Sequence, residues 1–140
     1  MKRISFLAAL LMLSGCMEVR DYQQVTRQPA PGGLSGYWQT DGPQSELVSP
    51  EAMATLIVTA EGDTLDCRQW QRVIARPGKL ARFAEDGEIH NVTVDKDIYS
   101  LSRNGDTLQY AGMTMKRVAH PGEACQKELN RSPLASPLPN

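Results

Sequence analysis

The stretch that decides the fold covers residues 99–110, and its sequence is Tyr99-Ser100-Leu101-Ser102-Arg103-Asn104-Gly105-Asp106-Thr107-Leu108-Gln109-Tyr110. Asn-Gly at its centre is a strong signal for a β-hairpin, because both positions of the tight turn need positive φ. On each side of the turn, large apolar residues alternate with polar ones, which is the period of a strand with one buried face. The stretch therefore predicts two antiparallel strands joined by a turn.

Similar patterns before and after this hairpin predict further strands. Turns at Glu61-Gly62-Asp63 and Asp86-Gly87 separate apolar, β-branched runs at 55–59, 64–75, 79–84 and 88–94. We also expect strands at 36–40 and 113–118, one helical turn starting at Ser49-Pro50-Glu51, and a short helix near 123–130. The prediction is an all-β domain, a small antiparallel meander of about seven strands that forms a closed barrel or a strongly curled sheet.

The first strand carries a short motif that favours the barrel. Gly36-Tyr37-Trp38 resembles the Gly-x-Trp of lipocalin-like barrels, in which the Trp closes one end and a late Arg packs across it. Arg117, in the last strand, is placed to be that Arg. The alternative is that Trp38 is an ordinary core residue at the start of a strand.

The N-terminus has the features of a lipoprotein signal peptide. Met1-Lys2-Arg3 is positively charged, and the apolar run at 4–13 has ten residues, too few to span a bilayer core of about 30 Å. The run ends in Leu13-Ser14-Gly15-Cys16, which matches the lipobox that precedes acylation. An ordinary secretory signal with an incidental cysteine is the alternative. We expect cleavage before Cys16, acylation at its thiol and, because Met17 and not Asp follows, a place on the periplasmic face of the outer membrane.

Composition divides the chain into four parts. Residues 1–15 are the signal peptide, and residues 16–35 combine the acylated cysteine with a polar segment rich in Pro and Gly, which is typical of a flexible tether. Residues 36–130 form the β-domain, and 131–140 hold three prolines and are expected to be disordered. Without the signal, 13 basic and 16 acidic residues give a net charge of −3, which argues against nucleic-acid binding.

Two cysteines remain once Cys16 carries lipid. In an oxidising compartment Cys67 and Cys125 have only each other to pair with, so we expect a structural disulfide. It would close a loop of 59 residues. A redox or metal-binding pair is the alternative, but such pairs need close spacing or histidine partners.

The chain has little that indicates catalysis. His90 and His120 are its two histidines, and neither has the spacing of a metal ligand. The sequence contains no nucleophile elbow, phosphate-binding loop or zinc-protease motif. Acidic pairs occur near turns, where carboxylates are usually solvated. We therefore expect a protein that is not an enzyme and has no cofactor or metal.

One segment is a candidate binding surface. Five basic residues and no acidic ones lie between Asp66 and Glu85. Arg68, Trp70 and Arg72 are spaced to share one face of a regular strand, and Trp and Arg are enriched where proteins bind each other. The candidate contact is therefore an outer Arg-Gln-Trp-Gln-Arg face for an anionic protein, glycan or lipid headgroup. The alternative is a solvated outer face with one structural Trp.

Longer stretches resemble the YedD-like lipoproteins of enteric bacteria. The resemblance lies in the stretches 34–40, 47–52, 61–74 and 110–115, and so covers nearly the whole mature chain. It implies a small envelope lipoprotein and transfers no catalytic residues. We expect a lipid-anchored, non-enzymatic binding module, such as a regulator or inhibitor of an envelope or cell-wall enzyme, with a periplasmic or cell-wall-associated protein as partner. A lipocalin-like carrier of a small apolar ligand is the alternative.

Overall fold

A computed structural model describes residues 17–44 and 51–140. The signal peptide and Cys16 lie outside the described residues, as does most of the helical turn expected at Ser49-Pro50-Glu51. Within the described ranges, the chain forms eight strands, a short 3₁₀ helix at Tyr22–Gln24 and one α-helix. The strands are β1 (Gly36–Thr40), β2 (Met53–Val58), β3 (Asp63–Gln69), β4 (Val73–Arg82), β5 (Ile89–Thr93), β6 (Ile98–Asn104), β7 (Thr107–Tyr110) and β8 (Met113–Val118), and helix α1 is Glu123–Arg131.

The eight strands form a closed antiparallel barrel in sequence order. Each strand pairs with the next, and β1 pairs with β8, so that Tyr37 lies opposite Val118 and Thr40 opposite Met115. Closure leaves no strand edge unpaired, which removes the aggregation hazard of an open meander. The sheet is therefore a barrel, the first of the two architectures expected from the sequence.

The middle of the barrel differs from the sequence-based prediction in one respect. The single strand expected at 64–75 is two strands, because the chain reverses at residues 70–72. Strand β4 then continues through Pro77-Gly78, where we had expected a break. The sequence pattern did not reveal this turn, because residues 70–72 contain no Gly, Pro or Asn and the residues around them have strand character.

Apolar side chains occupy much of the barrel interior. They alternate with outward-facing residues along each strand, as strands require. The buried members of this inner cluster are Leu34, Trp38, Ala52, Ala54, Leu56, Val58, Leu80, Leu108, Tyr110, Met113 and Met115.

A second apolar cluster lies on the outside of the barrel, under α1. Tyr37, Ile57 and Leu65 face outward from the first three strands and pack with Leu129 of the helix. Cys67 and Cys125 form the disulfide expected from the sequence, with an S–S distance of 2.07 Å, and join β3 to α1 within this cluster. Among the described residues, no helix is long and apolar enough to cross a membrane.

Residues 21–34 and the tail after α1 are packed on the barrel, in contrast to the flexible tether and disordered tail that the sequence predicts. The backbone of Gln28 donates a hydrogen bond to Leu80, and Lys79 donates to carbonyls of the N-terminal segment. In the tail, Ser136 is buried and donates to the Asp63 carboxylate at 2.5 Å. Low apolar content suggested disorder, but these contacts use backbone and charged groups, which a hydrophobic pattern does not register.

Candidate functional site

The two ends of the barrel have different chemistry. The lower end is the one with the β4–β5 and β6–β7 turns, and the upper end is the one with the β3–β4 and β5–β6 turns. The lower end is closed by Trp38, which is fully buried and donates from Nε1 to the Leu34 carbonyl at 2.9 Å. The Arg117 guanidinium lies 4.3 Å from the centre of the Trp38 ring and donates to the carbonyl of Ser35 at 2.9 Å. This is the Trp–Arg arrangement predicted from the lipocalin-like motif.

A buried hydrogen-bond network crosses the interior toward the upper end. Thr64 donates to Asn91 Oδ1 at 2.6 Å, and Asn91 Nδ2 donates to the Tyr110 hydroxyl at 2.8 Å. That hydroxyl donates to Asp66 Oδ2 at 2.7 Å, and Arg68 Nε donates to Asp66 Oδ1 at 3.2 Å. The first four of these residues are at most 2% exposed. Since each link satisfies a buried polar group, the network fixes its members in one arrangement.

A glycine makes room for this network. A Cβ at Gly78 would lie 2.5 Å from Thr64 Oγ1 and 2.8 Å from Asn91 Oδ1. Both distances are shorter than real Cβ contacts allow. Strand β4 can therefore pass beside the Thr64–Asn91 hydrogen bond only because residue 78 has no side chain.

The network shifts the titration of its members. Burial, followed by the adjacent Asp66, raises the pKa of Tyr110 well above 10, because the phenolate would be both desolvated and next to a carboxylate. Burial alone would lower the pKa of Arg68, but its ion pair with Asp66 outweighs this effect, so the pKa of Arg68 is raised. The site therefore holds a neutral phenol and a guanidinium that stays charged.

Aromatic rings surround Arg68 at the upper mouth. Its Cζ lies 4.9 Å from the centre of the Tyr99 ring, and the Tyr99 and Tyr110 rings meet edge to face at 5.6 Å. Trp70 is partly buried and packs against the inner cluster. Next to this mouth, Arg76 Nε donates to Asp95 at 2.5 Å.

The structure corrects the geometry expected for Arg68, Trp70 and Arg72. Arg68 faces the barrel interior, since its register partner Ala54 belongs to the inner cluster, and Trp70 packs on that same cluster. Arg72 is exposed in the β3–β4 turn, beyond the end of the strand. The outer face of three residues does not exist, because the Asp66 carboxylate neutralises Arg68 inside the barrel. Whether these residues contact a partner stays a prediction.

The residues that hold Arg68 in place were not predicted from the sequence. They are Thr64, Asp66, Asn91, Tyr99 and Tyr110. A signal was present, because Thr64, Asp66 and Arg68 alternate with Leu65 and Cys67 along one strand, so three polar residues share a face. Among the described residues, no group of three His, Cys, Asp or Glu side chains is placed to hold a metal.

Comparison with known proteins identifies close relatives. Residues 19–129 match a family model described as "Bacterial lipocalin LPS transport optimiser YedD". An uncharacterized lipoprotein YedD of Salmonella typhimurium strain LT2 is 56% identical over 134 residues, which cover 96% of this chain and 94% of that protein. The Escherichia coli strain K12 protein of the same name is 55% identical over 139 residues, 99% of this chain and 100% of its own. A crystal structure of a lipoprotein YedD from Klebsiella pneumoniae has a TM-score of 0.76 and 52% identity, covering 84% of this chain and 98% of that one.

Proposed function

Because this chain belongs to the YedD family of lipoproteins, a lipid-anchored envelope family, we propose that it is a non-enzymatic binding module that promotes LPS transport by contacting a protein of that process. LPS transport is the process for which the family is named, and the filled barrel favours action through contacts of its outer surface. The narrower role expected from the sequence, regulation or inhibition of an envelope or cell-wall enzyme, stays a prediction.

This proposal rests on the observation that packed side chains fill the interior of the barrel. Trp38, Leu56 and Leu80 are completely buried inside the barrel, and the Asp66–Tyr110 hydrogen bond crosses the same interior, with Asp66 opposite Leu56 in the register of β2 and β3. An acyl chain entering the barrel would have to displace packed side chains and leave buried polar groups unpaired, at about 1–3 kcal/mol for each group. This supports contact through the surface and disfavours the lipocalin-like carrier.

The upper rim is the surface we assign to the partner. We define it as Trp70, Arg72, Val94 and Lys96, which lie in or next to the β3–β4 and β5–β6 turns. Val94 is 44% exposed, Arg72 and Lys96 are exposed cations, and Trp70 is half-buried. Trp and Arg are residue types that dominate the binding energy of protein interfaces, so we place Trp70 and Arg72 at the centre of this rim and Val94 and Lys96 at its edge.

Photo-crosslinking in living cells tests the rim. A crosslinking amino acid at Arg72 should capture a protein of LPS transport, whereas one at Lys127, exposed on α1, should not. The double variant Trp70→Ala with Arg72→Ala should lose the adduct formed from Lys96 while remaining folded. Its matched control, Lys127→Ala with Arg131→Ala, should retain that adduct. Adducts that survive the rim variant would refute the assignment of the rim.

Native mass spectrometry of the purified full-length protein distinguishes the carrier. We expect no lipid to remain bound beyond the covalent anchor, because the interior side chains are packed. A stoichiometric lipid that leaves when Leu56 or Leu80 is replaced by Trp would contradict the binding module and establish the carrier in its place.

Acylation at Cys16 and an outer-membrane location complete the proposal. The Cys16→Ala variant should accumulate as unprocessed precursor or as a soluble form. Membrane fractionation of cells that produce each form measures this directly. Normal fractionation of Cys16→Ala with the outer membrane would refute the anchor.

A further inference from the structure

The segment Asp21–Leu34, which we call the N-terminal strap, is fastened to the outside of the barrel near its start. Lys79, on the outer face of β4, donates from Nζ to the carbonyl oxygens of Tyr22 at 3.0 Å and Val25 at 3.3 Å. The same ammonium lies 4.3 Å from the centre of the Tyr22 ring. Asp21 accepts a hydrogen bond from the Gln23 backbone and so caps the short 3₁₀ helix. The strap is therefore held from its first residues onward.

The middle of the strap is fitted closely to the turn between β2 and β3. The Gln28 and Ala30 amides donate to the carbonyls of Leu80 at 2.8 Å and Ala60 at 3.0 Å. A Cβ at Gly62 would lie 1.9 Å from the Gln28 carbonyl oxygen, so the strap passes where only glycine leaves space. Backbone pairing and close approach together distinguish this segment from a chain that rests loosely on a surface.

Arg27 adds an ion pair to these contacts. Its Nη1 donates to Asp63 Oδ2 at 2.7 Å, and the Asp63 side chain is only 11% exposed. Partial burial makes this pair stronger than a typical pair on a protein surface, where solvent weakens the attraction.

The length of chain before the strap limits how far the barrel can stand from its anchor. Cys16 and Asp21 are five residues apart, a link that spans at most about 18 Å when fully extended. If the strap were free, the link from Cys16 to Ser35 would have 19 residues and could reach roughly 60 Å. The docked strap therefore removes most of the reach that the sequence alone suggests.

We propose that the N-terminal strap orients the barrel on the membrane, with the flank of β4 and β5 facing the lipid headgroups. This inference rests on the proposed anchor at Cys16. The strap leaves the barrel beside Lys79 on β4, and a link of at most about 18 Å keeps that point next to the bilayer. The partner of this flank is a lipid surface, and the β8 side of the barrel faces away from it.

Energy transfer in reconstituted vesicles tests the orientation. Purified lipidated protein carries a donor at Glu85→Cys, in the β4–β5 turn, or at His120→Cys, just after β8, and both positions are exposed at the lower end. The vesicles are phosphatidylethanolamine and phosphatidylglycerol with an acceptor on the headgroups. We expect at least twofold more efficient transfer from position 85 than from position 120. Equal transfer from the two positions would overturn the proposal.

Releasing the strap should remove this difference. Lys79→Met eliminates the ammonium that holds Tyr22 and Val25, so the free link lengthens to the eleven residues between Cys16 and Arg27, or about 40 Å. Transfer from the two positions should then become equal, and trypsin cleavage after Arg20 should accelerate at least tenfold. An unchanged transfer ratio together with accelerated cleavage would overturn the proposal. Circular dichroism and an intact disulfide verify that the barrel remains folded.

A pair of glycine variants provides a matched control. Gly62 and Gly105 both have positive φ, +97° and +60°, so alanine is strained at both, but a Cβ at Gly105 meets nothing within 4 Å. Gly62→Ala in the Lys79→Met background should also release Arg27 and Gln28 and accelerate trypsin cleavage after Arg27 at least tenfold, whereas Gly105→Ala in the same background should leave that cleavage as slow as in Lys79→Met alone. The same acceleration in both variants would overturn the role of the strap.

The intact mass separates this inference from the one on which it rests. A purified protein without the added mass of the acyl chains would overturn the anchor and the orientation together. An acylated protein that shows equal transfer overturns the orientation alone, and the proposed binding function is untouched by that result.

Discussion

The hydroxyl group of Tyr110 is the centre of the buried network, and removing it tests how the barrel interior is stabilised. Tyr110→Phe keeps the aromatic ring, which is 1% exposed and packs against Tyr99, and deletes one oxygen atom. That oxygen donates to the Asp66 carboxylate and accepts from Asn91 Nδ2. The substitution therefore deprives Asn91 Nδ2 of its acceptor and Asp66 of one donor, while Asp66 keeps its two hydrogen bonds from Arg68, and it creates almost no cavity.

The expected destabilisation follows from these two losses. A hydrogen bond to a charged group contributes about 1.5–3 kcal/mol, and an unsatisfied buried donor costs about 1–3 kcal/mol. Part of each loss is recovered by relaxation, so we expect a decrease of about 3 kcal/mol in the free energy of unfolding. For a domain of this size, that corresponds to a melting temperature lower by about 12 °C.

Urea and thermal unfolding, followed by circular dichroism, measure this effect. Tyr37→Phe is the matched control, because the Tyr37 hydroxyl donates at 3.1 Å to the Pro139 carbonyl in a partly exposed site. We expect the control to lose about 1 kcal/mol or less. If Tyr110→Phe loses no more than Tyr37→Phe, the network does not stabilise the interior and the reasoning is refuted.

Three further predictions concern other parts of the barrel. The raised pKa of Tyr110 means that the folded state holds the phenol proton more tightly than the unfolded state does, so this group stabilises the fold fully below about pH 10 and loses that effect as the pH rises further. Between about pH 8 and 10.5 the free energy of unfolding should therefore decrease less in Tyr110→Phe than in the wild type. Equal slopes for the two proteins would contradict this. Replacing Cys67 and Cys125 by Ala should lower the free energy of unfolding by about 4 kcal/mol, because a long loop is no longer closed, and an unchanged urea midpoint would refute this. Arg117→Met should lose about 2 kcal/mol through its contacts with the Trp38 ring and the backbone, against less than about 0.5 kcal/mol for the exposed Arg131→Met; equal values from urea unfolding would count against a sealed lower end.

Much of the barrel was predictable because its hairpins are marked by turn residues and alternating patterns that lie close together in the sequence. The Asn104-Gly105 turn and the alternation around it place β6 and β7 correctly, and Gly36-Tyr37-Trp38 with Arg117 gave the closed lower end. These features depend on residues that are close in sequence, or on a motif whose geometry is fixed. Closure itself was one of two options, since local patterns do not say whether β1 meets β8.

The candidate site was less predictable because its partners come from distant strands. Asp66 and Tyr110 are 44 residues apart, and only the barrel register brings them together. An acid inside a barrel contradicts the expectation that charges are solvated, so Arg68 was assigned to the outer surface. Asp66 and Arg68 can both be buried because the charge of each compensates for that of the other.

The Asp63 carboxylate binds both the N-terminal strap and the C-terminal tail, so the packing of each segment depends on the same side chain. Its Oδ2 accepts hydrogen bonds from Arg27 in the N-terminal strap and from Ser136 in the tail after α1. Ser136 shields the carboxylate from water, and a shielded carboxylate attracts Arg27 more strongly. Truncating the last residues, or adding a purification tag after Asn140, should therefore loosen the N-terminal strap, which follows the proposed lipid anchor. Ser136 is synthesised long after Arg27, so the Asp63 site that binds Arg27 is complete only when the end of the chain has been made.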